Sequence, residues 1–121
     1  MNKPNLIFAL IYSALIIHLG LSESEVISSY SSFQINDKLV HLISYFLFYF
    51  LWHNPFNYLF NTKALIYLFI FSFVFGVFIE LGQKYLTLTR NAEFLDIAYN
   101  LIGIQLAHIY FNIKKKKDLK L

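Results

Sequence analysis

The carboxylates Glu80 and Asp96 stand inside apolar stretches of this chain, where ionisable side chains are uncommon. Glu80 lies near the end of the apolar run 64–81, and Asp96 opens the run 96–113, in which Asn100 follows one helical turn later. A charged group in such surroundings costs free energy unless it is paired or takes part in chemistry. It can act as a general base, bind a ligand or hold an ion pair. These residues therefore mark a candidate site.

Other polar residues repeat at helical spacing around these two carboxylates. Residues three or four apart share one helix face, and three such pairs occur: Asp37 with His41, Glu80 with Gln83, and Asp96 with Asn100. Arg90 is the only arginine, and its planar guanidinium suits a carboxylate or a phosphate. We call the predicted set the polar cluster: Asp37, Lys38, His41, Glu80, Gln83, Arg90, Asp96 and Asn100.

Small residues continue two of the polar helix faces. Gly76 precedes Glu80 by one turn, and Gly103 and Ala107 extend the face that carries Asn100. Small residues allow two helices to approach closely. The pattern therefore predicts that the third and fourth helices pack against each other through these positions, with polar groups near their contact.

The composition indicates a membrane protein. Apolar residues make up 58% of the chain and charged residues 14%, against about half and about a quarter in a typical soluble domain. The absence of cysteine excludes disulfides and thiolate metal sites. Continuous apolar runs predict an all-α integral membrane protein, a single domain 1–121 built as an antiparallel bundle. Its four transmembrane helices are expected at about 6–21, 37–53, 64–82 and 95–113.

The distribution of basic residues predicts the orientation of the bundle. Four spans place both termini on one side, together with seven lysines at positions 3, 63, 114–117 and 120. Only Lys38, Lys84 and Arg90 lie on the other side. The positive-inside rule then places both termini in the cytoplasm, where the basic tail 114–121 meets anionic membrane lipid. No basic or aromatic face accompanies this tail, so nucleic acid is not an expected partner.

Three motifs between residues 37 and 103 resemble a known signature. They are Asp37-Lys-Leu-Val-His41, Gly76-x-x-x-Glu80-x-x-Gln83 and Arg90-x-x-Glu93-x-x-Asp96-x-x-x-Asn100-x-x-Gly103. Together they resemble the VanZ-like family of small bacterial membrane proteins, over residues 37 to 107. The segment 84–89 lacks the proline or glycine often found there in that family. The resemblance implies a multi-pass protein of the bacterial cytoplasmic membrane, and the founding member is associated with low-level resistance to teicoplanin, a lipoglycopeptide.

Three hypotheses follow for the polar cluster, which this topology places at the outer face. It could be a pocket for a lipid head group, a lipid-linked molecule or a lipoglycopeptide, with Arg90 contacting an anionic group. It could be an enzyme site acting on a lipid-linked substrate, with Glu80 or Asp96 as general base and His41 as its acid–base partner. It could also be a structural brace between helices. The pocket is preferred, and enzymatic activity is not favoured.

No cofactor or metal is expected from the sequence. Metal binding by His41, Glu80 and Asp96 is conceivable, but no compact ligand motif such as H-x-x-x-H is present. The phosphate-binding and nucleophile motifs of soluble enzymes are also missing. His53 and His108 lie toward the cytoplasmic half of the predicted bundle and are expected to be incidental to function.

Overall fold

The computed structural model describes residues 3–22, 37–88 and 93–120, and these residues form helices without any strand. The helices are α1 (Lys3–Gly20), α2 (Asp37–Phe60), α3 (Ala64–Leu86) and α4 (Phe94–Lys120), and a short 3-10 turn (Asn61–Lys63) joins α2 to α3. The expected all-α class is therefore confirmed for the described residues.

The helices α2 and α3 form a hairpin whose turn lies later than the sequence indicated. The second helix was expected to end near residue 53, but α2 includes Pro55 and continues beyond it. Phe56 packs against Phe71 of α3 with ring centroids 5.1 Å apart, which stabilises the turn that follows the proline. The chain reverses where Asn61 adopts a φ of 52°, a left-handed conformation that asparagine tolerates better than most residues.

The helix α4 also extends beyond its expected end. It was predicted to end near residue 113, and it instead continues through the lysines to Lys120. Lysine is a good helix former, and neither glycine nor proline interrupts residues 114–120. The described part of the basic tail is therefore a helical extension of α4.

The helix α2 is central to the packing, because it contacts α1, α3 and α4. Its aromatic side chains fill the interior, and Phe48 stacks on Phe75 of α3 with ring centroids 4.4 Å apart. The buried apolar core consists of Tyr45, Tyr49, Leu65, Leu68, Ile104, Ala107 and Phe111. Burial of these side chains between α2, α3 and α4 stabilises the contacts among the three helices.

The predicted small residues lie at helix contacts, although one of them faces a different helix from the one expected. A Cβ atom at Gly103 would overlap the backbone carbonyl of Leu42, so this glycine allows α4 to approach α2 rather than α3. Gly76 of α3 faces Tyr45 of α2 and Asn100 of α4. The difference arises because α4 packs on α2 over more of its length than on α3.

Besides its apolar core, the bundle exposes many large apolar side chains and buries several polar ones, which is unusual for a water-soluble domain. Large apolar side chains are exposed on each helix, for example Ile11, Ile43, Phe78 and Ile109. The buried polar side chains are Ser72, Glu80, Gln83, Thr87, Asp96 and Asn100. Two segments are long and apolar enough to cross a membrane, Lys38–Leu86, which contains α2 and α3, and Phe94–Lys120. The first helix is a shorter apolar segment, Asn5–Gly20.

Candidate functional site

The described members of the polar cluster assemble where α2 begins, α3 ends and α4 begins. The chain reverses between α2 and α3, and only a short connection separates α3 from α4, so these three helix ends meet. Lys38 and His41 come from α2, Glu80 from α3, and Asp96 and Asn100 from α4. The apolar outer faces of the helices turn these side chains inward, toward each other.

Lys38 links the two acidic residues at the start of α4. Its ammonium group donates to Asp96 Oδ1 and also to Glu93 Oε2, the latter at 2.5 Å. The Asp96 side chain is only 5% exposed, whereas that of Glu93 is 56% exposed. The hydrogen bond and the charge of Lys38 lower the pKa of Glu93. The pair with Asp96 is thus the buried one, and the pair with Glu93 reaches the surface.

His41 is held between an amide and a carboxylate. Its Nδ1 lies 3.0 Å from Asn100 Oδ1, and its Nε2 lies 3.6 Å from Asp96 Oδ2. An amide oxygen only accepts hydrogen bonds, so Nδ1 is the donor in this contact. In a neutral imidazole the lone pair then belongs to Nε2, the nitrogen that faces the carboxylate.

Glu80 is almost fully buried and forms a hydrogen bond with the backbone just before α4. It is 1% exposed, and its Oε2 accepts a hydrogen bond of 3.3 Å from the backbone N–H of Glu93. The backbone N–H of Asp96 in turn donates to the carbonyl of Glu93 at 3.1 Å. A carboxylate of α3 therefore positions the backbone from which α4 begins.

Two further buried side chains of the polar cluster carry a polar atom that has no hydrogen-bond partner among the described residues, as does Ser72 of α3 outside the cluster. They are Gln83, through Oε1, and Asn100, through Nδ2. Gln83 lies three residues after Glu80 on the buried face of α3, and it is 1% exposed. Such atoms are costly inside a protein unless a partner satisfies them, and two of them lie at this end of the bundle.

The arrangement also brings together potential metal ligands from three helices. His41, Glu80 and Asp96 each offer one ligand atom, and these atoms all lie within 4.8 Å of one another. The residues are separated in sequence by 39 and 16 positions (80 − 41 and 96 − 80). No local ligand motif could therefore reveal the group, and only the packing of α2, α3 and α4 assembles it.

The structure relates most of the predicted polar cluster to a single site. Direct contacts connect Lys38, His41, Asp96 and Asn100. Glu80 belongs to the same site because one of its carboxylate oxygens lies within 4.8 Å of His41 and Asp96, and because it accepts the backbone N–H of Glu93. Gln83 follows Glu80 on the same buried helix face. The predicted roles of Arg90 and of the Asp37 side chain fall outside the described residues.

Glu93 was not among the predicted site residues, although it occurs in the motif that resembles the VanZ-like signature. In the structure it contacts Lys38 through its carboxylate and Glu80 through its backbone. Its position three residues before Asp96 is the signal that could have identified it, because that spacing places two carboxylates on one side of a helix start. Its side chain brings a negative charge to the surface of the cluster.

A second polar contact lies within the aromatic core. The Tyr49 hydroxyl lies 2.7 Å from His108 Nδ1 and 3.3 Å from the carbonyl of Leu65. Both contacts are satisfied when Nδ1–H donates to the hydroxyl and the hydroxyl donates to the carbonyl. His53 stacks on Phe111 with ring centroids 3.8 Å apart. Both histidines thus lie among packed aromatic rings.

Comparison with known proteins yields no relative. No protein-family model matches this chain, and no match was found among curated proteins or among solved structures.

Proposed function

We propose that this chain is a VanZ-like protein of the bacterial cytoplasmic membrane, which it crosses four times with both termini in the cytoplasm. The polar cluster then faces outward, where it binds the anionic head group of a membrane lipid or of a lipoglycopeptide-like molecule. The assembly of charged side chains from three apolar helices at one end of the bundle is the observation that carries this proposal.

The spacing of charges along α4 supports a membrane-spanning orientation. Asp96 and Lys114 are 18 residues apart (114 − 96), a rise of about 27 Å at about 1.5 Å per residue. This length matches the hydrocarbon core of a bilayer, which is about 30 Å thick. Lys115 donates to the carbonyl of Thr62 at 3.1 Å, so the lysines lie beside the α2–α3 turn, at the end opposite the polar cluster.

The exposed edge of the cluster supports head-group binding. Lys38 retains 20% exposure and Glu93 56%, whereas Asp96 is buried beneath them. A ligand arriving from the surface would meet these two side chains first. Arg90, in the connection between α3 and α4, is the residue we propose to contact the anionic group, because guanidinium binds phosphate and carboxylate in a bidentate manner.

The orientation is tested with single cysteines in this cysteine-free chain. Leu88 and Leu119 are exposed, at 98% and 78%, and lie toward opposite ends of the bundle. In intact cells, an impermeant thiol reagent should label Leu88→Cys and should spare Leu119→Cys until the cells are opened. Labelling of Leu119→Cys alone would place the cluster in the cytoplasm and refute an envelope ligand.

Ligand binding is tested with the purified protein in nanodiscs. Teicoplanin is titrated calorimetrically in phosphatidylcholine discs, and co-purified phosphatidylglycerol is measured separately, which distinguishes the two sources of the anion. Arg90→Ala should abolish the interaction, and Lys84→Ala, which removes an exposed lysine of α3, should retain it. Equal binding by Arg90→Ala and the unchanged protein would contradict the proposal.

A structural brace is a second candidate, favoured by the contacts of Glu80. This buried carboxylate accepts the backbone N–H of Glu93, and Lys38 bridges the start of α2 to the start of α4. A brace requires that Glu80→Ala lowers the unfolding temperature and that its functional loss parallels the loss of folded protein. A folded, fully inserted Glu80→Ala protein without ligand binding would instead favour the pocket.

A further inference from the structure

We infer that His41, Glu80 and Asp96 form a binding site for a divalent first-row metal ion, with Zn²⁺ as the suited ion. One imidazole and two carboxylates are a ligand set that zinc accepts, with a further position left for solvent or for an oxygen of a ligand. The inference goes beyond the proposed head-group pocket and does not depend on the identity of any envelope ligand.

The separations of the three ligand atoms fit one ion. Tetrahedral bonds of about 2.1 Å place neighbouring ligand atoms about 3.4 Å apart. His41 Nε2 and Asp96 Oδ2 already lie 3.6 Å apart, and the whole group lies within 4.8 Å. Side-chain rotation that brings the farthest ligand atom inward by about 1.4 Å would complete the set.

The contact with Asn100 prepares His41 for coordination. Zinc-bound histidines usually donate their other ring N–H to a carbonyl or carboxylate, which fixes the tautomer and the ring orientation. His41 Nδ1 donates in this way to Asn100 Oδ1 at 3.0 Å. The other ring nitrogen, Nε2, faces Asp96. In the neutral imidazole, the Nε2 lone pair faces an electron-rich oxygen of Asp96, and a cation between these two atoms would stabilise the arrangement.

An independent observation at the same place points to a ligand. Asn100 is 3% exposed, and its Nδ2 has no hydrogen-bond partner among the described residues. This amide is anchored in the site by its other atom, Oδ1, and Nδ2 lies 3.4 Å from where a Cβ of Gly76 would stand, one turn before Glu80. This buried donor therefore lies in the same cluster, where an oxygen of a bound molecule would satisfy it.

The neighbouring lysine contacts a different oxygen of Asp96 from the one that faces His41. Lys38 uses Asp96 Oδ1 and Glu93 Oε2, whereas the oxygen directed at His41 is Asp96 Oδ2. Asp96 would therefore bridge the ammonium group and the metal ion through its two oxygens. Hydrogen-bonded ligand carboxylates of this kind are usual around metal ions.

The test measures zinc itself on the full chain in detergent, after chelator treatment. Equilibrium dialysis with Zn²⁺ should give one ion per chain. His41→Gln, Glu80→Gln and Asp96→Asn should each weaken binding by more than about tenfold, because loss of even an outer-shell partner costs about 10–100-fold. His18→Gln, which removes an exposed histidine of α1, is the matched control and should bind like the unchanged protein.

A measurement on the unchanged protein keeps the inference testable if a variant does not fold. The X-ray absorption spectrum of bound zinc should show nitrogen and oxygen ligands with a single imidazole. Zinc should also raise the unfolding temperature by mass action. Failure to bind one ion, a spectrum with two or more imidazoles, or undiminished binding by the folded ligand variants would overturn the metal site. The head-group proposal would remain, because its test uses Arg90.

Discussion

Lys38→Met provides a direct test of how the polar cluster is held together. The substitution keeps a long side chain but removes the ammonium group that contacts both Asp96 and Glu93. Asp96 then remains buried without its lysine partner, whereas Glu93, being largely exposed, can be solvated by water. The structure therefore predicts that the loss of stability comes mainly from Asp96.

The magnitude follows from the exposure of the two partners. Removing one member of a fully buried ion pair costs about 3–5 kcal/mol, whereas exposed pairs contribute at most about 1 kcal/mol. The Asp96 side chain is 5% exposed and Lys38 is 20% exposed, so this pair lies between the two limits. We expect a coupling free energy of about 1–3 kcal/mol between Lys38 and Asp96. The coupling between Lys38 and Glu93 should be smaller.

Two double-mutant cycles measure these couplings. One combines Lys38→Met with Asp96→Asn, and the other combines it with Glu93→Gln. Unfolding in mixed micelles is followed by the fluorescence of Trp52, the only tryptophan, whose Nε1 donates to Ser13 Oγ at 2.8 Å across α1 and α2. A Glu93 coupling equal to or larger than that of Asp96 would refute the assignment of the buried pair.

Two further predictions concern helix packing and pH. Gly103→Ala should destabilise the bundle by more than the roughly 1–3 kcal/mol typical of overpacking, because its Cβ would meet the rigid backbone of Leu42; Gly76→Ala meets only movable side chains and should cost less in the same unfolding assay. Lys38 lowers the pKa of Glu93 in the folded protein. The ionised Glu93 side chain therefore contributes to stability fully above its ordinary pKa of 4.5, and this contribution is lost as the pH falls through the lower pKa of the folded state. The difference in unfolding temperature between Glu93→Gln and the unchanged protein should therefore narrow in acid, and a constant difference would contradict this sign.

Several features of the fold could be predicted from the sequence because they depend on residues close together in the chain. Long apolar runs without strand-like alternation predicted helices, and the i, i+3 and i, i+4 spacing of Asp96, Asn100 and Gly103 predicted that they share one face. The helix ends were less predictable. Pro55 usually indicates a helix end, but α2 continues past it to Phe60. The packing of Phe56 against Phe71 of α3 stabilises this extra length of helix.

The partners within the candidate site were decided by the tertiary structure. Lys38 and Asp96 are 58 residues apart, and His41 and Asn100 are 59 apart, so no local period connects them. Their contact depends on α2 lying against α4, and Gly103 allows that approach. The sequence alone thus determined that carboxylates would be buried near helix ends, because charge in an apolar run requires a partner. Which partner each received depended on how the helices packed, because only close packing selects one neighbour from several chemically equivalent ones.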